Sequence, residues 1–185
     1  CVQTITIQDI TAPVITCPAD LTLSCEDPSV PAATGSATAT DNCDAAPVIT
    51  FTDVTTPGLC AGNYVITRIW TASDVCGNSS SCIQTITVQD ITAPVITCPA
   101  GITLNCEDPS APAATGTATA TDNCDASPVI TFADVTTPGL CAGNYVITRT
   151  WTATDECGNA STCIQTITVQ DITAPVITCP AGITL

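Results

Sequence analysis

Acidic loop residues are the first candidates for chemistry in this chain of 185 residues. Aspartates recur in the loop DNCD, just before the segment CGN, and at the start of the segment DITAPVITCP. Oxygen ligands from two loops and a linker suit Ca²⁺. The candidate ligands are Asp41, Asp44, Asp74, Asp90, Asp122, Asp125 and Asp155. An alternative is that these side chains close Asx turns, which require no metal, and no other cofactor is indicated.

Catalytic chemistry is not indicated by the remaining polar residues. The chain has no histidine, the commonest general base. The neighbouring acids Glu26–Asp27 and Glu107–Asp108 each precede a proline in a loop, which is typical of solvated acids rather than of a glycosidase pair. The sequence therefore predicts a protein that is not an enzyme.

The 14 cysteines are far more frequent than in an ordinary globular protein. No CxxC step, which zinc sites commonly use, occurs in the sequence. Frequent cysteines without zinc spacing are typical of disulfide-rich proteins in an oxidising compartment. The sequence thus predicts an extracellular, secreted protein.

Charge and hydropathy exclude two classes of partner. The net charge is −15, and the only basic side chains are Arg68 and Arg149, too few to neutralise nucleic-acid phosphates. The mean hydropathy is +0.39, but prolines, threonines and aspartates interrupt every apolar run well below the length that spans a bilayer. Neither nucleic-acid binding nor membrane insertion is expected.

An internal repeat organises the chain. The segment DITAPVITCP begins at Asp9, Asp90 and Asp171, so the period is 81 residues, and 69 of the 81 positions are identical between the two whole copies. The predicted domains are therefore 9–89 and 90–170, with 1–8 the tail of a preceding repeat and 171–185 the head of a following one. We expect the chain to be an excerpt of a tandem array.

Each repeat is predicted to form a β-sandwich. Runs rich in Thr, Val and Ile alternate with loop segments such as EDPSVPAATG and TPGLCAGN, and no run has a helical apolar period. The predicted strands of the first repeat are Pro13–Cys17, Leu21–Cys25, Ser36–Thr40, Val48–Thr55, Tyr64–Ser73 and Cys82–Gln89. Six short strands in about 80 residues favour an all-β fold of immunoglobulin or fibronectin type III kind.

Differences between the copies indicate which strand faces are buried. In the strand 64–73 the substituted positions are odd, so Tyr64, Ile66, Arg68, Trp70 and Ala72 are expected to face the core.

A buried arginine needs a partner. If the strands 48–55 and 64–73 form a hairpin, Phe51 lies opposite Trp70 and Asp53 lies opposite Arg68, with Ile49, Phe51 and Asp53 facing inward. The sequence predicts a structural ion pair Asp53–Arg68, repeated as Asp134–Arg149. The alternative is that the connection crosses between sheets and separates the two side chains.

Strand direction narrows the disulfide pairings within a repeat. Counting strands back from the end of the repeat places Cys25 and Cys60 at one end of the sandwich and the other four cysteines at the opposite end. Cys25 is therefore expected to pair with Cys60, and Cys106 with Cys141 in the second repeat. This reasoning does not distinguish the pairings among the remaining four.

The order of motifs resembles a known family. D-x-T-x-P-x-I-x-C-P is followed by T-D-N, then by W-T-A-x-D-x-C-G-N-x-x-x-C and a closing alternating strand, which is similar to the hyalin repeat (HYR) domain. Near-identical tandem copies with extra cysteines resemble, more closely, the giant SprB-type gliding-motility adhesins on the surface of Bacteroidetes. The resemblance implies an immunoglobulin-like fold and a secreted, cell-surface location.

The resemblance also implies the remaining disulfides. The cysteine pairing of the hyalin repeat implies Cys17–Cys82, which leaves Cys43 for Cys76. The second repeat then contains Cys98–Cys163 and Cys124–Cys157. Cys1 and Cys179 are expected to have partners outside the sequence.

These features predict a non-enzymatic structural repeat, the stiff shaft of an extracellular fibre or adhesin that transmits force. The expected partners are neighbouring repeats, other copies of the fibre and surface glycans. The alternative is an adhesive module in which each repeat binds a glycan or a protein. That alternative requires an exposed aromatic platform, whereas the pattern places Phe51, Tyr64 and Trp70 inside.

Overall fold

The protein is nearly all β-structure. The computed structural model describes residues 1–180 and 182. The first repeat contains β1 (Val14–Thr16), β2 (Leu21–Ser24), α1 (Pro31–Thr34), β3 (Thr38–Thr40), β4 (Val48–Pro57), β5 (Tyr64–Ser73) and β6 (Ser79–Gln89). The second contains β7 (Val95–Thr97), β8 (Ile102–Asn105), α2 (Pro112–Thr115), β9 (Thr119–Thr121), β10 (Val129–Pro138), β11 (Tyr145–Thr154) and β12 (Ala160–Gln170).

Each repeat is a sandwich of a two-stranded and a four-stranded sheet. In the first repeat β1 pairs antiparallel with β3, and the larger sheet has the order β2-β6-β5-β4. In that sheet β2 runs parallel to β6, whereas the β6–β5 and β5–β4 pairs are antiparallel. The second repeat has the same arrangement, with sheets β7-β9 and β8-β12-β11-β10. The predicted all-β, disulfide-rich sandwich is confirmed.

Two local features differ from the expected strands. The last strand begins at Ser79, three residues before the predicted start, because the turn that precedes it is tight. The Asp74 N–H bonds the Asn78 carbonyl over 3.0 Å, and Gly77 takes φ 91°, a conformation that side chains rarely adopt. The loop 26–35 contains the short helix α1, which begins at Pro31, where the missing N–H costs no hydrogen bond.

The core of each repeat lies on the strand face whose residues are the same in both copies. Ile66, Ile86 and Val88 are buried, and Leu21 and Leu23 pack against them. The expected alternation along β5 is confirmed, since Ile66, Arg68, Trp70 and Ala72 are all at most 5% exposed. Apolar residues at every second position therefore bury one side of the large sheet.

The predicted burial of Phe51 is wrong. Ile49 is partly buried, but Phe51 is 43% exposed and Asp53 is exposed as well. These residues share the face of Trp70 and Arg68, as expected, but β4 is the edge strand of its sheet. An edge strand has a neighbour on one side only, which leaves its side chains open to solvent.

The chain divides into two compact units. Unit 1 consists of Cys1–Ala93 together with two loops of the second repeat, Asp122–Ser127 and Asp155–Asn159. Unit 2 consists of Pro94–Thr121, Pro128–Thr154 and the chain from Ala160 on. Along the chain, none of the described helices has the length and apolarity that a membrane span needs.

Candidate functional site

The predicted ion pair is present in both repeats. In the β4–β5 hairpin Asp53 lies opposite Arg68, and Phe51 opposite Trp70. Arg68 Nε donates to Asp53 Oδ1 over 2.8 Å, and Arg68 Nη2 donates to Asp53 Oδ2 over 2.9 Å. The corresponding Arg149–Asp134 distances are 2.7 and 2.8 Å. The two strands are a hairpin, and the alternative crossing between sheets is excluded.

The remaining bonds of Arg68 tie the hairpin to the helix loop. Its Nη1 donates to Thr34 Oγ1 over 2.7 Å, and its Nη2 donates to the Ser29 carbonyl over 2.7 Å. The guanidinium carbon lies 4.8 Å from the centre of the Phe51 ring and 5.9 Å from that of Trp70. The arginine is 2% exposed, so these partners replace the water that a buried charge loses. The cluster has a structural role.

A second buried polar group was not predicted from the sequence. Gln84, on β6, has no exposed area and donates from Nε2 to the carbonyls of Ala19 and Thr34 over 3.0 and 2.8 Å. Its Oε1 accepts a hydrogen bond from Trp70 Nε1 at 3.4 Å. The available signal was its phase, since Gln84 falls on the same strand face as the core residues Ile86 and Val88. Gln165 repeats the arrangement in the second repeat.

One disulfide closes each repeat on itself. Cys17, just after β1, is bonded to Cys82 on β6, with a Cα–Cα distance of 5.9 Å. Cys98 and Cys163 are bonded in the same way, at 5.8 Å. These are the pairings that the family resemblance implies. Each bridge encloses the 64 residues between its two cysteines.

The other predicted disulfides are wrong. Cys25 is bonded to Cys124 and not to Cys60, and Cys60 is bonded to Cys157. Among the described residues Cys43, Cys76, Cys106 and Cys141 have no disulfide partner, so Cys43–Cys76 and Cys106–Cys141 are absent. Cys124–Cys157 is absent because both of its cysteines are bonded to the first repeat. The prediction considered only pairings within a repeat. In unit 1 the loops that carry Cys124 and Cys157 lie against Cys25 and Cys60 and form the disulfides with them.

Two clusters of three aspartates occur in unit 1. Carboxylate oxygens of Asp9, Asp41 and Asp74 all lie within 4.8 Å of one another, and so do those of Asp90, Asp122 and Asp155. Asp90 therefore lies with Asp122 and Asp155 and not with Asp41 and Asp74, and Asp9, which is not among the candidate ligands predicted from the sequence, completes the first cluster.

Asp44 and Asp125 do not belong to either cluster. Both Asp44 oxygens accept backbone hydrogen bonds, Oδ1 from Ala46 and Oδ2 from Val75, each over 3.0 Å. Asp125 accepts from Ser127 and Glu156 in the same way. For these two residues the Asx-turn interpretation is the one that the geometry supports.

The clustered aspartates retain oxygens that no protein group uses. Asp41 Oδ1 accepts the N–H groups of Cys43 and Asp44, but Asp41 Oδ2 and Asp9 Oδ2 are buried without a hydrogen-bond partner. Asp122 Oδ2, in the second cluster, is in the same state. Three carboxylates so close together repel one another unless a cation lies among them. Their oxygens are of the hard type that suits Ca²⁺, so the residues present fit that ion.

Hydrogen bonds favour the charged form of Asp74. Burial by itself raises the pKa of this carboxyl. Bonds from the Asn78 amide and backbone N–H, both over 2.8 Å, together with backbone groups of Gly77 and Cys76, outweigh it and hold the pKa below its ordinary value. Asn78 also donates to the Asp9 carbonyl over 3.2 Å, which holds the two acids of the cluster together. Sequence analysis missed the role of Asn78 and of its counterpart Asn159.

The unpaired thiols Cys43 and Cys106 lie among negative charges. Burial and the carboxylates of Asp9 and Asp41 raise the pKa of the Cys43 thiol. Burial, Asp171 and Glu107 raise the pKa of the Cys106 thiol in the same direction. Both thiols are therefore poor nucleophiles at neutral pH.

Comparison with models of known protein families gave no match, and comparison with curated protein sequences gave none. The relation to the hyalin repeat therefore remains a resemblance of motifs. The four disulfides among the described residues are characteristic of a secreted-type protein in a non-cytoplasmic compartment.

Proposed function

We propose that the repeats form the stiff shaft of an extracellular fibre or cell-surface adhesin and transmit pulling force without catalysing a reaction. The observation that carries the proposal is the bond between the first and last strands of each repeat, Cys17–Cys82 and Cys98–Cys163. The resemblance to SprB-type surface adhesins of Bacteroidetes supports the same assignment.

Force that pulls on a repeat bypasses most of its chain. The load enters before Cys17, crosses the disulfide and leaves after Cys82, so the bridge prevents the 64 enclosed residues from being drawn out. Only residues 9–16 and 83–89 lie outside the bridge. Full unfolding of a repeat then exposes 15 residues, about 50 Å of extended chain. A folded sandwich with ten-residue strands is itself roughly 30–40 Å long, so unfolding adds little length.

The connection after β6 supports a stiff shaft. Five residues separate Gln89 from Val95. The Asp90 N–H donates to Asn63 Oδ1 over 2.6 Å, and the Thr92 N–H donates to Asp90 Oδ1 over 3.1 Å. A short segment that contains no glycine and is hydrogen-bonded to the loop of Asn63 is unlike a Gly/Ser-rich flexible linker. The net charge of −15 favours mutual repulsion between shafts and hence solubility.

The alternative function, a glycan- or protein-binding module, has less support. Trp70 and Trp151 are each 3% exposed and offer no platform for a ligand. Phe51 and Phe132 are partly exposed, but each ring packs against the arginine and tryptophan of its own repeat.

Single-molecule stretching tests the shaft directly. The first protein is the full chain with C25S, C60S, C124S and C157S, which keeps only the two closing bridges. We expect no unfolding step longer than about 50 Å, because each bridge withholds 64 residues. Adding C17S and C82S to this variant should lengthen one step by about 220 Å.

The matched control is C98S and C163S in the same background, which should lengthen the step of the other repeat by the same amount. Long steps while both closing bridges are intact would refute the proposal.

A further inference from the structure

Two disulfides in unit 1 connect residues of successive repeats. Cys25–Cys124 and Cys60–Cys157 span 99 and 97 residues, more than the period of 81, and their Cα–Cα distances are 6.1 and 5.2 Å. Shifted by one period, Cys124 corresponds to Cys43 and Cys157 to Cys76. Each bridge therefore joins two different positions of the repeat, one on each of two consecutive copies.

The corresponding cysteines elsewhere in the chain are unpaired among the described residues. Cys106 and Cys141 of unit 2 correspond to Cys25 and Cys60 but have no disulfide partner among the described residues. Cys43 and Cys76 correspond to Cys124 and Cys157 and are likewise unpaired. Burial follows the same pattern, because Cys60 is buried whereas Cys141 is exposed.

The surroundings of the bridges are complementary as well. Asn123 Nδ2 donates to Cys25 Sγ over 3.5 Å, and the Ala61 N–H donates to Glu156 Oε2 over 3.3 Å. A Cβ on Gly62 would lie 2.7 Å from the Asp90 Cβ and 3.4 Å from the Cys124 Cβ, so only glycine fits beside the bridge. The unpaired copy of this loop, around Cys141, keeps the glycine as Gly143, in a conformation (φ 92°) that favours glycine.

We propose that Cys106 and Cys141 are covalent attachment points for a further copy of the repeat. On one side, Cys106 and Cys141 bond to the counterparts of Cys124 and Cys157 in the next copy. On the other side, Cys43 and Cys76 bond to the counterparts of Cys25 and Cys60 in the preceding copy. Every junction between repeats is then closed by two disulfides in addition to the peptide chain. This inference goes beyond the proposed function and holds whether the array is a shaft or a binding surface.

Each bridge forms by thiol–disulfide exchange with a low-molecular-weight disulfide such as oxidised glutathione. One protein thiolate attacks that disulfide and releases one glutathione thiolate, leaving a mixed disulfide on the protein. The second protein thiolate then attacks the mixed disulfide at the protein sulfur and releases the second glutathione. Two protein thiols are oxidised, and one glutathione disulfide is reduced to two thiols. Burial and the neighbouring carboxylates raise the pKa of the Cys106 thiol and slow its attack at neutral pH, so the oxidation is carried out in an alkaline buffer.

The test uses this chain with one extra copy of residues 90–170 inserted after Gln170. The inserted copy adds six cysteines. After oxidation in a glutathione redox buffer, non-reducing peptide mapping should show Cys106 and Cys141 bonded to the inserted counterparts of Cys124 and Cys157. The inserted copy becomes the last whole repeat, so its counterparts of Cys106 and Cys141 are free in their place. The number of free thiols should therefore be six both before and after insertion.

A variant of the lengthened chain with C106S and C141S is the matched control. It should leave the two inserted counterparts as free thiols and keep the Cys98–Cys163 bridge, which reports that the second repeat has folded. Peptides linking Cys106 to Cys141, or two free thiols in place of six, would overturn the proposal. The variants used for stretching lack the disulfides between repeats. A negative result in peptide mapping therefore leaves the proposed function unaffected, and a negative result in stretching leaves this inference unaffected.

Discussion

The two whole repeats have the same interior and different ends. Trp70 and Trp151 are both 3% exposed, and Arg68 and Arg149 are 2% and 1% exposed. At the end that carries Cys60 and Cys141 the copies diverge. Cys60 is bonded and buried, whereas Cys141 is free and exposed, and Asp90, which follows the first copy, is 5% exposed whereas Asp171 is classed as exposed.

This difference separates contacts made within one repeat from contacts made with a neighbouring repeat. Inside a repeat, neighbouring strands of one hairpin bring the partners together, so identical sequences form identical contacts. At the end of a repeat, the partners of Cys25 and Cys60 come from loops that belong to the next copy. Nearly identical sequences therefore differ there because their neighbours differ.

The largest effect is expected from breaking the interior ion pair. Asp53→Ala leaves Arg68 buried with its charge partly unpaired, and we expect the free energy of unfolding of the first repeat to fall by about 3 kcal/mol. Asp134→Ala should lower that of the second repeat by the same amount, since the two interiors match. Urea unfolding of the oxidised chain measures both values.

Thr52→Ala is the control for this prediction. Thr52 adjoins Asp53 and is Ala133 in the other repeat, so little change in stability is expected. Replacing both partners, with Asp53→Leu and Arg68→Met, should restore part of the loss because no charge is then buried. Unequal losses for Asp53→Ala and Asp134→Ala would show that the interiors are not equivalent.

An intermediate effect is expected from calcium. The fit of the clustered aspartates predicts two Ca²⁺ ions per chain, one at Asp9–Asp41–Asp74 and one at Asp90–Asp122–Asp155. At a free concentration 100 times the dissociation constant, each ion should raise stability by about 2.7 kcal/mol. Calorimetric titration gives the number of ions, and thermal unfolding with calcium or a chelator gives the stabilisation.

Matched substitutions in one loop test the calcium prediction. Asp122→Asn should reduce the stoichiometry to one ion, whereas Asp125→Asn should leave two, because Asp125 bonds only backbone groups in this loop region. If no cation binds at the cluster, Asp122→Asn removes charge repulsion between the carboxylates. The substitution should then raise the stability by the same amount in chelator and in calcium. That last pattern, with melting unchanged by calcium, would contradict the prediction.

The smallest effect concerns the free end of the second repeat. Burial and the charges of Asp171 and Glu107 raise the pKa of the Cys106 thiol above the ordinary 9.0. Alkylation of Cys106 by iodoacetamide should therefore reach half its maximal rate above pH 9.0, while Cys25, being bonded, does not react. Mass spectrometry of peptides cut before aspartate follows both sites, because residues 20–26 contain Cys25 and residues 90–107 contain Cys106 as the only unpaired cysteine.

Glu107→Gln removes one of the charges that face Cys106 and should shift its alkylation profile to lower pH. An unshifted profile would show that Glu107 does not act on the thiol. Rapid alkylation of Cys25 in the oxidised chain would show that the two ends are alike after all.

Sequence analysis predicted the parts of the fold that depend on short-range patterns. The strand Tyr64–Ser73, its buried face and the register that sets Asp53 opposite Arg68 all follow from alternation along one hairpin. It missed the polar partners Gln84 and Thr34, which lie 50 residues apart. Their contact depends on how the helix loop packs over the large sheet, and no local period records that packing.

The amino-acid sequence by itself determined the 81-residue repeat, the all-β class and the ion pair, because alternation along a strand and pairing in a hairpin involve residues close in the chain. Only the tertiary structure decided the partners of Cys25 and Cys60 and the membership of the aspartate clusters. The two disulfides join loops more than one period apart, whereas each aspartate cluster joins three separate loops of one repeat. The direction of the strands shows at which end a loop lies, but the loop of the next copy lies there too, and only packing selects between them.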